Sequence, residues 1–369
     1  MKKIAMIFGT RPEAIKMAPV YLAMKKTDFK PVIIATAQHR EMLDQVLKLF
    51  DISPDYDLNI MRDKQSLSSL TSRLISSIDS VFKEEKFDTA LVQGDTTSTF
   101  TGALVAFFHK CPVGHIEAGL RTNNIFSPFP EEINRRLSST LANYHFPPTN
   151  KARNNLLNEG ISNERILVTG NTVIDALKWV INNKDYDMKR IRKNFDLLDK
   201  KYILLTTHRR ESWGKPMRNI MKAVRELLNQ EKDLHVVFPV HLNPSVREVV
   251  FEELNEEERA ILLDPLDYLP FVSVMEGSKI ILTDSGGIQE EGPALGKPVL
   301  VLRETTERPE AIESETAKLV GTSIKKIVEE TTELLHNSKK YERMAKTMNP
   351  FGDGKAAIRI IDFLKKKLV

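Results

Sequence analysis

The chain has 369 residues, with 54 Lys and Arg against 50 Asp and Glu for a formal charge of +4. So small a surplus over this length offers no extended basic surface, so neither nucleic acid nor an anionic membrane is expected as a partner. At about 100–200 residues per domain the length predicts two domains. A composition 41% hydrophobic and 28% charged excludes a disordered chain. The single cysteine, Cys111, excludes an internal disulfide and suits a reducing compartment such as the cytoplasm. No apolar run is long enough to insert in a bilayer, and MKKIAMIFGTRPE reads as a first strand rather than a signal segment.

In chain order, apolar and β-branched runs predict strands at Ile4–Phe8, Val32–Ala35, Thr89–Val92, Val113–Ile116 and His145–Phe146. Between them, apolar residues at three- and four-residue spacing predict helices such as Met42–Phe50 and Leu67–Phe82. The rhythm resumes with strands at Tyr202–Thr206, Val236–Pro239, Ile261–Leu263, Ile280–Thr283 and Val299–Leu302, separated by helices such as Met217–Leu228 and Ile324–His336. Alternating strands and helices make βαβ units and hence parallel sheets covered on both faces. Two such series predict an α/β protein of two Rossmann-like domains in tandem, although no sequence repeat relates the halves. The boundary is expected after Thr169-Gly170-Asn171, giving domains 1–170 and 171–354. The charged stretch Lys184–Lys201 reads as a solvated helix or linker. A turn cluster, Asn349 to Gly354, precedes a last helix, Ala356–Leu368, which could pack on either domain.

Ligands of open parallel sheets bind where strands end at their carboxyl side, so the polar segments that follow strands carry the chemistry. The first, Gly9 to Lys16, is neither GxxxxGK[ST] nor GxGxxG, but it places Arg11 and Lys16 near a helix N-terminus that already favours anions. Asp284-Ser285-Gly286-Gly287 leads from a strand into a helix; with only 16 glycines in the chain, an adjacent pair points to close approach of a nucleotide diphosphate. Glu291, one turn later, would accept from ribose hydroxyls. Asp95, Glu117 and Glu131 each follow a strand or open a helix, and carboxylates gathered in one cleft have their ionisation pushed apart, as acid–base chemistry requires. Structural alternatives stand beside these readings: Asp95 as a helix cap, Glu117 as a partner of Arg121, Glu131 as a first-turn anion, and a strand-end turn without ligand at Gly286. His208 and Arg209 offer a donor and a fixed charge to phosphate or sugar, His241 reads as structural, and the Arg303–Glu310 loop as either clamp or surface. No HExxH or CxxC spacing is present, so no metal is expected, and no dinucleotide fingerprint is found.

Together GTRPEAIKMAP, TAQHREMLDQVL, GDTTSTF, GHIEAGLRT, SPFPEE, VTGNTVIDAL, HRRES, PVHLNP, DSGGIQEE, GKPVLVLRETTERPEA and NPFGDG resemble the non-hydrolysing UDP-N-acetylglucosamine 2-epimerases, in family order from Lys3 to the last helix. The resemblance implies a glycosyltransferase-B-like fold with the active site in the interdomain cleft, and a final helix, 355–369, that completes the N-terminal domain. It implies a cytoplasmic homodimer that interconverts UDP-GlcNAc and UDP-ManNAc without a cofactor. The implied route eliminates UDP to 2-acetamidoglucal and re-adds it, supplying UDP-ManNAc for cell-surface polysaccharide. Asp95, Glu117, Glu131 and His208 match catalytic positions. Arg11, Lys16, Arg135, Leu266, Phe271, Ser285, Gly286, Gly287, Glu291 and Arg308 match substrate-binding ones, Phe271 where the family holds uracil. Gln38, Gln65, Arg209 and His241 match an allosteric site at which UDP-GlcNAc activates some members. The chain departs from the family at Gln93 (usually His), Gly292 (usually Ala) and Leu266 (polar in some members), and at Glu41 and Lys64 beside the allosteric set.

Overall fold

The computed structural model describes residues 1–37, 40–62 and 65–368. It divides into two compact units, Met1–Trp179 with Phe351–Val369, and Val180–Pro350. Each unit is built on one six-stranded parallel sheet. The first contains β1 (Lys2–Phe8), β2 (Phe29–Ala35), β3 (Tyr56–Asp57), β4 (Thr89–Gln93), β5 (Val113–Ile116) and β6 (Tyr144–Phe146), in the order β3-β2-β1-β4-β5-β6. The second contains β7 (Lys201–Thr206), β8 (Leu234–Pro239), β9 (Ala260–Leu263), β10 (Ile281–Thr283), β11 (Val299–Val301) and β12 (Ala317–Leu319), in the order β12-β11-β10-β7-β8-β9. Read from the opposite edge the second order is the first one again, so the topology repeats although the sequence does not.

The sheets form because their central strands are apolar on both faces: all five residues of β4 are buried, as are Ile4–Phe8 of β1. Helices cover them with one apolar stripe each. Leu70, Leu74, Ile78, Val81 and Phe82 of the helix Leu67–Glu84 pack on Ala5, Ile7 and Val92. Met217, Ile220, Val224 and Leu227 of Lys215–Gln230 pack on Ile203, Val236 and Phe238 in the second unit. Every strand read from the sequence is present. The two that were not read, β3 and β12, are edge strands of two and three residues, too short to show a period.

Of the charged stretch Lys184–Lys201 only Met188–Lys193 is helical before β7, capped by the Asp187 carboxylate. The last helix, Ala356–Lys367, lies in the first unit. Phe363 meets Tyr144 and Phe146 edge-on at 5.6 and 5.5 Å, and Asp175 accepts from the Ala356 and Ala357 amides at 3.2 and 2.8 Å, serving as a distant N-cap. Asp175 and Trp179, whose ring packs tilted against Phe50 at 4.8 Å, tie the helix Thr172–Asn182 to the first unit. The division therefore falls within that helix rather than at Gly170. No described helix is long and apolar enough to cross a membrane.

His115 and His145 face each other in the β5–β6 register, both fully buried. Burial pushes their pKa down, to about 4 for His115 and about 3 for His145. An unfolded histidine titrates near 6.5, so as pH falls below that value the unfolded chain takes up a proton that folded His145 refuses until far lower pH. Stability from this group is complete above about pH 6.5 and is lost on acidification. His145→Gln is expected to flatten the dependence of unfolding free energy on pH by about 1.4 kcal/mol per unit between roughly pH 6 and pH 4. Denaturant titrations of both proteins across that range measure it; parallel curves would contradict it.

Candidate functional site

In the first unit Asp95 and Glu117 follow neighbouring strands, and the third acid, Glu131, opens a helix. The Thr10 side chain caps the helix Arg11–Met24 in a capping box with Glu13, so Arg11 is the first helical residue. One turn in, the Lys16 ammonium reaches both carboxylate oxygens of Glu117, at 2.7 and 2.5 Å. Glu117 leaves β5 with φ of 63°, in the left-handed region that costs a non-glycine residue about 1–2 kcal/mol. The turn points a 7%-exposed carboxylate back over the sheet, where it also accepts from Gln93 on neighbouring β4 and from Asn171 at 3.0 Å. Arg121, the partner that sequence offered for Glu117, instead holds Glu159 at 2.6 Å.

Asp95 follows β4 by way of Gly94, whose φ of 75° favours glycine and whose carbonyl accepts from the His115 ring at 2.7 Å. Thr96, not Asp95, caps the next helix. Asp95 is free for the Arg135 guanidinium, which holds it through two nitrogens at 2.9 and 2.8 Å, while Asn134 donates to its carbonyl at 2.9 Å. Burial raises its pKa, Arg135 lowers it, and Glu117 raises it, an electrostatic coupling between the two acids. Glu131 opens the helix Glu131–Leu141 that carries Arg135, and its Oε2 is buried without a hydrogen-bond partner. Its neighbour Glu132 is consumed by structure, accepting from the Thr122 and Asn123 amides at 3.0 and 3.3 Å and pairing with Arg135 and Arg136.

In the second unit, β10 ends at Thr283, Asp284 follows, and the helix Gly286–Ala294 begins after the extended Ser285. A Cβ on Gly286 would lie 3.8 Å from an Arg209 nitrogen and 3.9 Å from the Arg308 guanidinium. Two cations therefore flank backbone amides at a helix N-terminus, an arrangement suited to a diphosphate. Arg308 is braced by Glu290, and Arg209 by Glu307 at 3.5 Å. Glu307 in turn faces Arg303, which pairs with Glu211 at 2.6 Å, so a chain of alternating charges joins the loops after β7 and β11. Glu291 accepts from the Tyr268 hydroxyl at 2.8 Å, Leu266 lies between β9 and the helix Tyr268–Gly277, and Phe271 is partly buried on that helix. His208 follows β7, and its ring stacks on that of His241 at 5.7 Å and 16°. The histidine that sequence left as structural thus adjoins the one it singled out.

Of the allosteric set, Gln38 lies outside the described residues, as does Lys64. Gln65 accepts from Arg73 and donates to the Met61 sulfur at 2.8 Å, in the first unit, whereas Arg209 and His241 lie in the second.

Sequence reasoning missed the acids that hold the loops. Glu13, 2% exposed, accepts from the Gly9 and Thr10 amides at 3.0 and 2.8 Å and from the Thr96 and Thr99 hydroxyls at 2.6 and 3.0 Å, tying the loop of Arg11 to that of Asp95. The capping-box spacing Thr-x-x-Glu was the available signal. Among the described residues no group of three or more His, Cys, Asp or Glu could hold a metal.

Comparison with known proteins places the chain. The family model described as UDP-N-acetylglucosamine 2-epimerase matches residues 22–365. The UDP-N-acetylglucosamine 2-epimerase of Escherichia coli K12 is 51% identical over 373 residues, covering 100% of this chain and 99% of its own, and that of Yersinia pestis is 52% identical over 374 residues with the same coverage. The crystal structure of UDP-GlcNAc 2-epimerase from Neisseria meningitidis bound to UDP-GlcNAc superposes with a TM-score of 0.90 at 50% identity, over 99% of this chain and 100% of that one. The Methanocaldococcus jannaschii UDP-GlcNAc 2-epimerase in complex with UDP-GlcNAc and UDP does so with 0.81 at 36%, over 99% of each. Two Rossmann-like units of glycosyltransferase-B type, matched over essentially the whole chain, establish that it belongs to the UDP-N-acetylglucosamine 2-epimerase family.

Proposed function

We propose that this chain inverts C2 of UDP-N-acetylglucosamine reversibly, giving UDP-N-acetylmannosamine, with no cofactor. The observation that carries the reading is the coupled pair of strand-end acids Asp95 and Glu117, held by Arg135 and Lys16, with Glu131 one turn before Arg135 on the same helix, in a chain about half identical to named epimerases over its full length.

The chemistry sets the roles. The C2 hydrogen of a UDP-sugar adjoins no carbonyl and is not acidic, so direct deprotonation faces a prohibitive barrier. Departure of UDP from C1 develops positive charge beside C2, acidifies its hydrogen, and yields 2-acetamidoglucal when the proton leaves. Protonation of the opposite face, with return of UDP to C1, completes the inversion. The leaving diphosphate would lie on the Ser285–Gly287 terminus between Arg209 and Arg308, with Arg11 and His208 adding donors. Asp95, Glu117 and Glu131 would divide the work of base and acid. Desolvation raises the pKa of Asp95 and favours its acid form, whereas Lys16 and two amides hold Glu117 as an acceptor. Lys16 therefore acts on the carboxylate more directly than on the diphosphate that sequence assigned to it. Glu291 and Phe271 would receive ribose and uracil, with Leu266 offering backbone atoms beside the base.

An activating role for a second UDP-GlcNAc is proposed on the family resemblance of Gln38, Gln65, Arg209 and His241 alone. Phe107, Phe108, Ile133 and Leu137 are 58, 61, 36 and 41% exposed on helices of the first unit, an apolar surface that supports a homodimer. The product would serve cell-surface polysaccharide synthesis in the cytoplasm.

Purified protein given UDP-GlcNAc or UDP-ManNAc should reach the same mixture of the two from either side. Free ManNAc and UDP accumulating irreversibly would identify a hydrolase instead, and transfer of the sugar to an added acceptor a glycosyltransferase. Asp95→Asn, Glu117→Gln and Glu131→Gln should each lower kcat by about 10²–10⁴-fold with the fold retained, Glu117→Gln melting lowest because Lys16 loses its charge partner. Turnover near that of the parent in all three would remove the acids from the mechanism.

A further inference from the structure

Asp284 is fully buried at the end of β10, and its two oxygens have unequal surroundings. Oδ2 accepts from the Thr207 hydroxyl at 2.8 Å, the His208 and Arg209 amides at 2.9 Å each, and the Ser212 hydroxyl at 3.1 Å. Four donors on one oxygen fold the loop after β7 around the carboxylate. Oδ1 is buried without a hydrogen-bond partner, and the Nδ1 atom of His208 stands 3.5 Å from it. A desolvated carboxylate oxygen with an unused lone pair is costly unless a donor can turn towards it, and the imidazole is the group in place to do so.

We infer that Asp284 is a positioning residue for the reaction proposed above. Its Oδ2 fixes the loop that presents His208 and Arg209, and its Oδ1 holds the His208 proton on Nδ1, leaving Nε2 to face the ligand. The neutral ring then offers Nε2 as an acceptor. Once protonated there it becomes a donor to the leaving diphosphate, stabilised from behind by the carboxylate. The inference rests on that reading of His208 as a diphosphate group, while the tautomer it assigns belongs to the ligand-free protein.

Other groups face the ring and oppose the charge: His241 stacks on it from the loop after β8, and Arg209 adjoins it in sequence. Burial first, then His241 and Arg209, hold the His208 pKa below the usual imidazole value, and Asp284 acts against them. Removing the carboxylate charge thus lowers that pKa further.

Asp284→Asn separates the two oxygens. The amide oxygen can take the place of Oδ2 and keep the loop, but the amide nitrogen then turns two donors towards Nδ1 and drives the proton to Nε2. The full-length protein labelled with ¹⁵N-histidine reports the tautomer through two-bond ¹H–¹⁵N couplings above the titration range, with His208→Gln assigning the signal. His208 should be Nδ1-protonated in the parent and Nε2-protonated in Asp284→Asn. In turnover assays that variant should lose about a hundredfold in kcat with KM within a few-fold, and the alkaline limb of its kcat profile, where His208 gives up the proton it donates, should move to lower pH. An Nε2-protonated His208 in the parent, or one tautomer in both proteins, would overturn the inference. Both outcomes are read whether or not the protein proves to be an epimerase. Should Asp284→Asn fail to fold, the tautomer in the parent alone decides.

Discussion

Taking a carboxylate out of water at the end of a parallel strand costs several kcal/mol unless donors replace the water. At Glu117 the donors are Lys16 from the helix after β1, Gln93 from β4 and Asn171 from the chain after β6. Each comes from a different element, so the carboxylate can be accommodated only if the order β1-β4-β5-β6 is already in place. The left-handed backbone at Glu117 is then held by the same partners. Fold and candidate site are thus one electrostatic problem solved once: the sheet order brings the donors, and the donors keep a charged group where a sugar would meet it.

The same logic recurs with a different division of labour. Glu13, Glu132 and Glu290 are acids whose oxygens are occupied largely by backbone amides, hydroxyls or a neighbouring guanidinium. They fix loops. Asp95 and Glu131 are held more sparingly, Asp95 by Arg135 and Glu131 with one buried oxygen unbonded. Acids of the first kind make the strand-end loops rigid, and acids of the second kind keep capacity for a proton. In the second unit the cations Arg209 and Arg308 are braced from behind by Glu307 and Glu290, which would lower the reorganisation needed for the diphosphate proposed to bind there.

Much of this was legible in the sequence because it is written locally. Strands apolar on both faces, such as Thr89–Gln93, and helices with one stripe, such as Leu67–Glu84, carry their period in consecutive residues. Candidate residues were legible for the same reason, since each follows a strand directly. What stayed hidden was pairing across distance. Lys16 and Glu117 are 101 positions apart, and Thr207 and Asp284 are 77 apart. No spacing rule links such residues, so Lys16 read as a cation at an anion-favouring helix terminus, and the structural partner offered for Glu117 was Arg121. The helix Thr172–Asn182 likewise looked like the start of a new domain, because the turn at Gly170 is local and the hold of Asp175 on Ala356 and Ala357 is not.

The central claim is that the C2 hydrogen leaves the sugar to solvent-exchangeable acids and returns on the other face. The most direct measurement is the mass and proton spectrum of UDP-GlcNAc and UDP-ManNAc recovered after partial conversion in D₂O. The account predicts one deuteron at C2 of UDP-ManNAc from the first turnovers, followed by deuterium at C2 of the remaining UDP-GlcNAc as equilibrium is approached. UDP-ManNAc that retains its original hydrogen at C2, or sugar nucleotide recovered with no deuterium at all, would contradict it.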